Sequence, residues 1–287
     1  MDNIIGGLAI GSVYALIGIG VVLIYRTTGI VNFAQGELVT IGAYAYVVAT
    51  ALGGSPALTM AAALLAGIVA GSVFYLIVHV LLRGRDRLSL VVGTLAVLVL
   101  IRGAARLIAT DRPYRSETWL FGGGRVHLGG TLLAVNSLVV IGVTATAALA
   151  LFLWFTRTMG GKLMLAVAED PLRSAMSGIP VRRMLWLSWA ATGALAALAG
   201  VLVSPGSGVF PMMGAHLFLA GVVGAVLGGF DSVVGAVVGG LIVGVLQTVA
   251  VVTVGGAWRD VVVFAVLMLV LLLRPAGLFG SRRLRQV

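Results

Sequence analysis

Few side chains in this 287-residue chain can do chemistry, and three short clusters bring some of them together. The first is Asn32-Phe33-Ala34-Gln35-Gly36-Glu37. Asn32 and Gln35 have capping-box spacing, and Glu37 falls where a first helical turn favours a carboxylate. Helix capping accounts for the cluster by itself. Yet a carboxylate beside hydrocarbon is costly unless paired or solvated, so the same residues also suit a polar gate. The second cluster is Gly228-Gly229-Phe230-Asp231-Ser232, which breaks a long apolar run. Asp231 suits the cap of the helix that follows, and equally a polar point on a pathway lined by interrupted helices. The third lies in 157–183. There Asp170 is a capping residue, Pro171 suits a first helical position, and Gly178 suits the left-handed residue beyond a helix end. These predict a helix over 171–177, delimited at both ends but too short to stand alone in water. Either the chain's own loops hold it, or it inserts into a cytosolic partner. In the second case Glu169, Asp170 and Arg173 offer charge-assisted contacts.

Other chemistries find no support. Cysteine is absent, which excludes disulfides and thiolate sites. His79, His127 and His216 are scattered, without metal-ligand spacing. Gly160-Gly161-Lys162 is followed by Leu163 rather than Ser or Thr, so it is not a phosphate loop. Neither a serine elbow nor a zincin motif is present. The expectation is therefore a protein with no catalytic residue, cofactor or metal. The net charge of +10 would suggest nucleic acid in a soluble protein, but no aromatic and basic residues interleave, and no nucleic-acid partner is expected.

The elements that hold these clusters follow from composition. Sixty per cent of residues are hydrophobic, only 10% are charged, and mean hydropathy is +1.15. Soluble domains carry about 25% charged residues, so this is an integral membrane protein. Apolar stretches near 4–24, 37–53, 57–82, 88–109, 132–155, 184–203, 217–230, 233–254 and 260–274 predict nine helices. The class is an all-α polytopic bundle of about 8–10 spans in one transmembrane domain over 1–287. The stretch 217–230 is short and reads as a half-helix paired with the next. Met1-Asp2-Asn3 lacks the basic start of a cleaved signal, so the first stretch reads as a retained span. Gly7 and Gly11, Gly224 and Gly228, Gly235 and Gly239, and Gly240 and Gly244 are each four apart. That spacing suits close helix packing, or a pathway along glycine-rich helices. Arg102 and Arg106, near the outer end of the fourth span, read as snorkelling side chains.

Charge sets orientation. Of the 19 cations, 13 lie at Arg26, Arg83, Arg85, Arg87, Arg157, Lys162, Arg173, Arg182, Arg183, Arg274, Arg282, Arg283 and Arg285. The opposite set holds Arg102, Arg106, Arg112, Arg115, Arg125 and Arg259. Cytoplasmic loops carry the excess, which puts 157–183 and the C-terminus inside and the N-terminus outside. The long outer loop, 110–131, contains Pro113, Trp119 and Gly122-Gly123-Gly124.

Four blocks resemble one family. Gly11-Ser12-Val13-Tyr14-Ala15-Leu16 with Asn32–Glu37, the Glu169-Asp170 segment with Gly178, the run Ala225–Ala236, and Arg274-Pro275-Ala276-Gly277-Leu278-Phe279-Gly280 are similar to LivH-type branched-chain amino acid permeases. The resemblance implies the importer-permease fold of ATP-binding-cassette systems. It implies a subunit in a bacterial cytoplasmic membrane that passes branched-chain amino acids, or related small amides and urea. It also implies a second LivM-like permease, two cytosolic ATPases and an extracytoplasmic binding protein as partners. In that comparison 157–183 is the coupling loop. Gln35 replaces the family's histidine, which removes a protonatable side chain at that point. The competing reading is a stand-alone transporter or channel for a small polar solute; a membrane enzyme comes third.

Overall fold

The computed structural model describes residues 2–82, 84–109, 114, 124–128 and 131–280. Arg83, most of the expected outer loop (with Arg112, Pro113, Arg115, Trp119, Gly122 and Gly123) and the tail cations Arg282, Arg283 and Arg285 lie outside the described residues.

Each of the nine apolar stretches holds a helix, the fifth only from Val135. In chain order they are α1 (Asp2–Thr28), α2 (Gln35–Ala51), α3 (Pro56–Tyr75), α4 (Arg87–Ile108) and α5 (Val135–Arg157). Two short helices follow, α6 (Met159–Glu169) and α7 (Pro171–Met176). The chain then continues through α8 (Val181–Ser207), α9 (Met213–Gly228), α10 (Val233–Thr253) and α11 (Arg259–Leu273). A π-helical turn, Leu76–Leu81, prolongs α3. Among the described residues, seven helices are long and apolar enough to cross a membrane.

Helix α1 is the buried centre of the bundle. Its Gly7 and Gly11 lie against Gly244 and Gly240 of α10, while Gly239 and Gly235 on the other side of α10 meet Gly224 and Gly228 of α9. A Cβ on Gly11 would stand 2.8 Å from the Leu241 Cα. The glycine pairs therefore serve close packing, which in lipid replaces the hydrophobic drive of a soluble core.

Helices α1 and α8 have the same form. Each has 27 residues and ends on a glycine at φ +72°, Gly29 or Gly208. Thr192 bonds to Gly20, and Leu202 lies near Ala9, so the two run antiparallel. Each leads through a short linker into a short helix, α2 with 17 residues or α9 with 16. At 1.5 Å per residue these reach about 25 Å, less than a bilayer core of roughly 30 Å. The expected half-helix at 217–230 is thus α9, and 37–53, expected as a full span, is its short counterpart. The two short helices meet at their N-terminal turns: a Cβ on Gly36 or Gly214 would overlap the carbonyl of the other.

Two connections are more ordered than expected. In the loop expected outside, β1 (Arg125–Leu128) pairs antiparallel with β2 (Thr131–Ala134), Arg125 opposite Ala134. Four-residue strands leave too short an alternation to read in sequence. Tyr114 exchanges two backbone hydrogen bonds with Val209, at 2.8 and 2.9 Å, and so fastens this loop to the α8–α9 linker. At the other end of the bundle the segment after α11 turns at Gly277 (φ +80°), and the N–H groups of Leu278 and Phe279 donate to the carbonyls of Leu227 and Gly228. That closes the free end of α9.

Candidate functional site

Asn32, Gln35 and Glu37 are buried where α1, α2, α4, α8 and α9 converge, while Phe33 between them is partly exposed. The capping box does not form. Ala34 is the N-cap of α2, without a side-chain cap. Asn32 instead accepts the Ala34 N–H through Oδ1 at 3.0 Å, closing an Asx turn one step before the helix. Gln35 does not reach back, because its amide lies between Gly20 of α1 and Thr192 of α8, in space a Cβ on Gly20 would fill.

Glu37 is 1% exposed. Its Oε1 accepts from Nη2 of Arg102 at 2.8 Å and from Nε at 3.2 Å. Arg102 therefore does not snorkel freely; a buried carboxylate draws it inward, since pairing offsets desolvation of both charges. Arg106, one turn on, is exposed as expected. Helix α4 touches the cluster again through Thr94, whose Oγ1 accepts the Phe33 N–H at 3.3 Å. The Phe33 and Phe218 rings meet edge to face at 6.3 Å.

Polar capacity is left over. Asn32 Nδ2, both amide atoms of Gln35 and Glu37 Oε2 are buried without a protein hydrogen-bond partner among the described residues. Buried polar atoms are nearly always satisfied, so such a group is where water or a polar solute is received. Asp231 is not part of it. Ser232, not Asp231, caps α10, its Oγ accepting the Gly235 N–H at 2.9 Å. Asp231 lies beyond the far end of α9 from Gly214, about 21 Å along the helix.

The segment 157–183 is built as two helices. Thr158 caps α6 by accepting the Gly161 N–H at 3.1 Å. Met164 and Val167 bury against Leu23, Phe155 and Met184. The sequence carries this signal as a threonine cap before apolar positions three apart. Helix α7 matches its expected ends. Asp170 Oδ1 accepts the Leu172 and Arg173 N–H groups at 3.0 Å each, and Pro171 opens the helix. Gly178 has φ +78°; its N–H donates to Ala175 and the Ile179 N–H to Ser174. That is a complete Schellman closure. Arg173 Nε pairs with Asp170 Oδ2 at 3.1 Å in the open, and Glu169 ends α6 just before it. The helix buries Ser174 but holds Leu172 72% and Met176 81% exposed.

A third polar group went unread in the sequence. At the bundle end opposite α7, Tyr14, Gln247, Arg259 and Asp260 are joined by hydrogen bonds. Tyr14 and Gln247 are 233 residues apart, and no local spacing connects them.

Comparison with known proteins decides the class. Residues 3–271 match the family described as branched-chain amino acid transport system / permease component. The chain belongs to this family. It is 34% identical to the high-affinity branched-chain amino acid transport permease BraD of Pseudomonas aeruginosa, covering 100% of this chain and 98% of that one. It is 29% identical to LivH of Escherichia coli, covering 100% and 97%. The solved structure of PsaBC from Streptococcus pneumoniae in complex with Fab has the same fold. Its TM-score is 0.52 at 13% identity, over 93% of this chain and 89% of that one. The chain is a multi-pass membrane permease component of this transport family.

Proposed function

We propose that this permease imports branched-chain amino acids across a bacterial inner membrane. In this reading its N-terminus is outside and 157–183 is inside. A LivM-like permease completes the pore, two cytosolic ATPases drive it, and an extracytoplasmic binding protein delivers the solute. Full-length similarity to BraD and LivH supports the substrate class. Asn32, Gln35 and Glu37 form the gate, held shut by the Gly36–Gly214 contact and tied to α4 through Arg102; Asp231 belongs to the inner hairpin.

The observation that carries the coupling is α7. A six-residue helix is fully capped at both ends, and it turns Leu172 and Met176 outward between the ends of α6 and α8. So small a helix is not stable alone, and such exposed apolar residues on a rigid mount suit insertion into a groove. A stand-alone transporter has no need of it. Gly178→Pro tests this, because φ +78° is closed to proline and the cap loses its N–H. With Leu172→Glu/Met176→Glu as a second variant, the expected result is normal insertion with the ATPases lost on purification, or retained without coupled uptake. Wild-type ATPase association and uptake in both would refute the assignment.

A further inference from the structure

Helix α9 ends inside the protein. Leu227 and Gly228 are buried, and carbonyls in the last turn of a helix have no partner within it. A buried carbonyl needs a donor, above all in a membrane protein. The donors come from the far end of the chain. The N–H groups of Leu278 and Phe279 reach the carbonyls of Leu227 and Gly228 at 2.9 Å each. Glycines let the two backbones touch at this point. A Cβ on Gly277 would stand 2.7 Å from the Gly229 nitrogen, and one on Gly229 would stand 2.6 Å from the Gly280 nitrogen. The segment 274–280 is also tied to itself. The Gly277 N–H donates to the Arg274 carbonyl at 2.9 Å, and Arg274 Nη1 donates to the Leu278 carbonyl at 3.3 Å. It is a closed strap rather than a loose end.

The other end of α9 makes the contact with α2. There Gly214 touches Gly36, and the Gly214 N–H donates to Thr40 Oγ1 at 3.2 Å. No proline interrupts the helix between, so strap and contact are joined by one continuous rod about 21 Å long. The strap in turn continues directly from α11, whose span is the least buried of the seven among the described residues. We infer that 274–280 is a latch that fixes the axial position of α9 and thereby keeps the α2–α9 contact closed. With the strap in place, α9 cannot slide without breaking two hydrogen bonds that an apolar bundle offers no water to replace. With the strap lifted, the Gly36–Gly214 contact has lost its anchor. The latch is separate from α7, although both stand at one end of the bundle. Leu23 in the last turns of α1 packs with Met164 and Val167 of α6, and the nearby Tyr25 ring meets Phe230, beside the strap, at 5.0 Å. The latch's effect on uptake rests on the proposed gate; its effect on the helix contact does not.

The test exploits the absence of cysteine. Thr40→Cys places a thiol at the α2–α9 contact, where residue 40 is 2% exposed. Ala63→Cys places a reference thiol in the buried Tyr46–Ala63–Val201 cluster, which α9 does not enter. A buried thiol reacts only when its surroundings open, so its labelling rate follows the opening equilibrium. The full-length protein is labelled in native membranes with a small permeant thiol reagent. Two strap variants are combined with each thiol. Leu278→Pro removes the N–H given to Leu227, and Gly277→Val drives a side chain into the Gly229 and Val226 backbone. One ordinary hydrogen bond corresponds to about fivefold in an equilibrium. Labelling of Thr40→Cys should therefore rise about fivefold or more in each strap variant, with Ala63→Cys labelling unchanged. Unchanged Thr40→Cys labelling in both strap variants would overturn the latch. So would an equal rise at both thiols, which marks general loosening. Leucine uptake by the assembled importer separates the latch from the gate. Faster labelling with unaltered uptake upholds the latch and removes the gate reading. Altered uptake with unaltered labelling defeats the latch alone.

Discussion

The Glu37–Arg102 pair allows a sharp test, because its two members are buried so differently. Glu37 is 1% exposed and the Arg102 side chain 23%. Removing one partner of a buried pair costs about 3–5 kcal/mol, because the other charge stays behind without compensation. Arg102→Ala strands the carboxylate, and water reaches the arginine side only partly, so about 3 kcal/mol is expected. Glu37→Gln leaves an oxygen that still accepts from Arg102, which can also turn to solvent; the loss should be about 1 kcal/mol, that of an ordinary hydrogen bond. The double variant has no stranded charge. It should sit near the milder single variant, with a loss about 3 kcal/mol smaller than the sum of the two single losses. Denaturant unfolding of the purified permease in detergent measures these values, and uptake per assembled complex in proteoliposomes measures the gate. Glu37→Gln should lower that uptake while assembly persists. Losses that add within about 0.5 kcal/mol, or Arg102→Ala milder than Glu37→Gln, would refute the buried-pair reasoning. Unchanged uptake per complex in both single variants would reduce the pair to a structural tie.

Three further outcomes follow from local geometry. Gly36→Val should cost about 3 kcal/mol or more and separate α2 from α9, since its Cβ would lie 2.6 Å from the Gly214 carbonyl oxygen; Gly103→Ala, in open space on α4, should gain about 0.5–1 kcal/mol in the same unfolding assay. Asp86 caps α4, and hydrogen bonds from the Ser89 hydroxyl and N–H hold its carboxyl below the usual carboxylate range. Its contribution is therefore present above that range and lost as pH falls through the depressed value, so thermal unfolding of wild type and Asp86→Ala should converge in strong acid. Because the chain has no cysteine, Leu172→Cys and Val126→Cys report topology directly. An impermeant thiol reagent added outside intact cells should label position 126 and not 172, and the reverse pattern would invert the orientation.

What the sequence shows and what it hides divides along chain separation. Both ends of α7 were legible because Asp170 bonds to N–H groups two and three residues on, and Gly178 closes the helix it follows. The α9–α10 hairpin and the close-packing glycines were legible for the same reason: four-residue spacing is a property of one helix. The Glu37–Arg102 pair joins residues 65 apart, and nothing near Arg102 announces a buried carboxylate. The misreading of Asn32 and Gln35 is more instructive. Their spacing fits a capping box, but Gly20 leaves a hole in α1 that draws Gln35 away, and the Asx turn at Asn32 shifts the helix start to Gln35. Local propensity lost to a tertiary vacancy. The same vacancy gives the cluster its use. Two short helices, each following a 27-residue helix and a left-handed glycine, bring their N-terminal turns together at Gly36 and Gly214. Helix N-termini carry partial positive charge, and here the Gly214 N–H donates to the Thr40 hydroxyl at 3.2 Å. Beside them stand Asn32, Gln35 and Glu37 with unspent hydrogen-bonding atoms. Gly36 and Gly214 let the two backbones touch, with Thr40 and Phe218 beside them, so the polar atoms of the cluster lie against a helix contact in the middle of an apolar bundle. Helix α4, which shows most of its apolar surface outside the bundle, is tied to that space through Arg102 and Thr94. The route by which movement of α4 would reach the proposed gate is therefore one ion pair and one hydrogen bond.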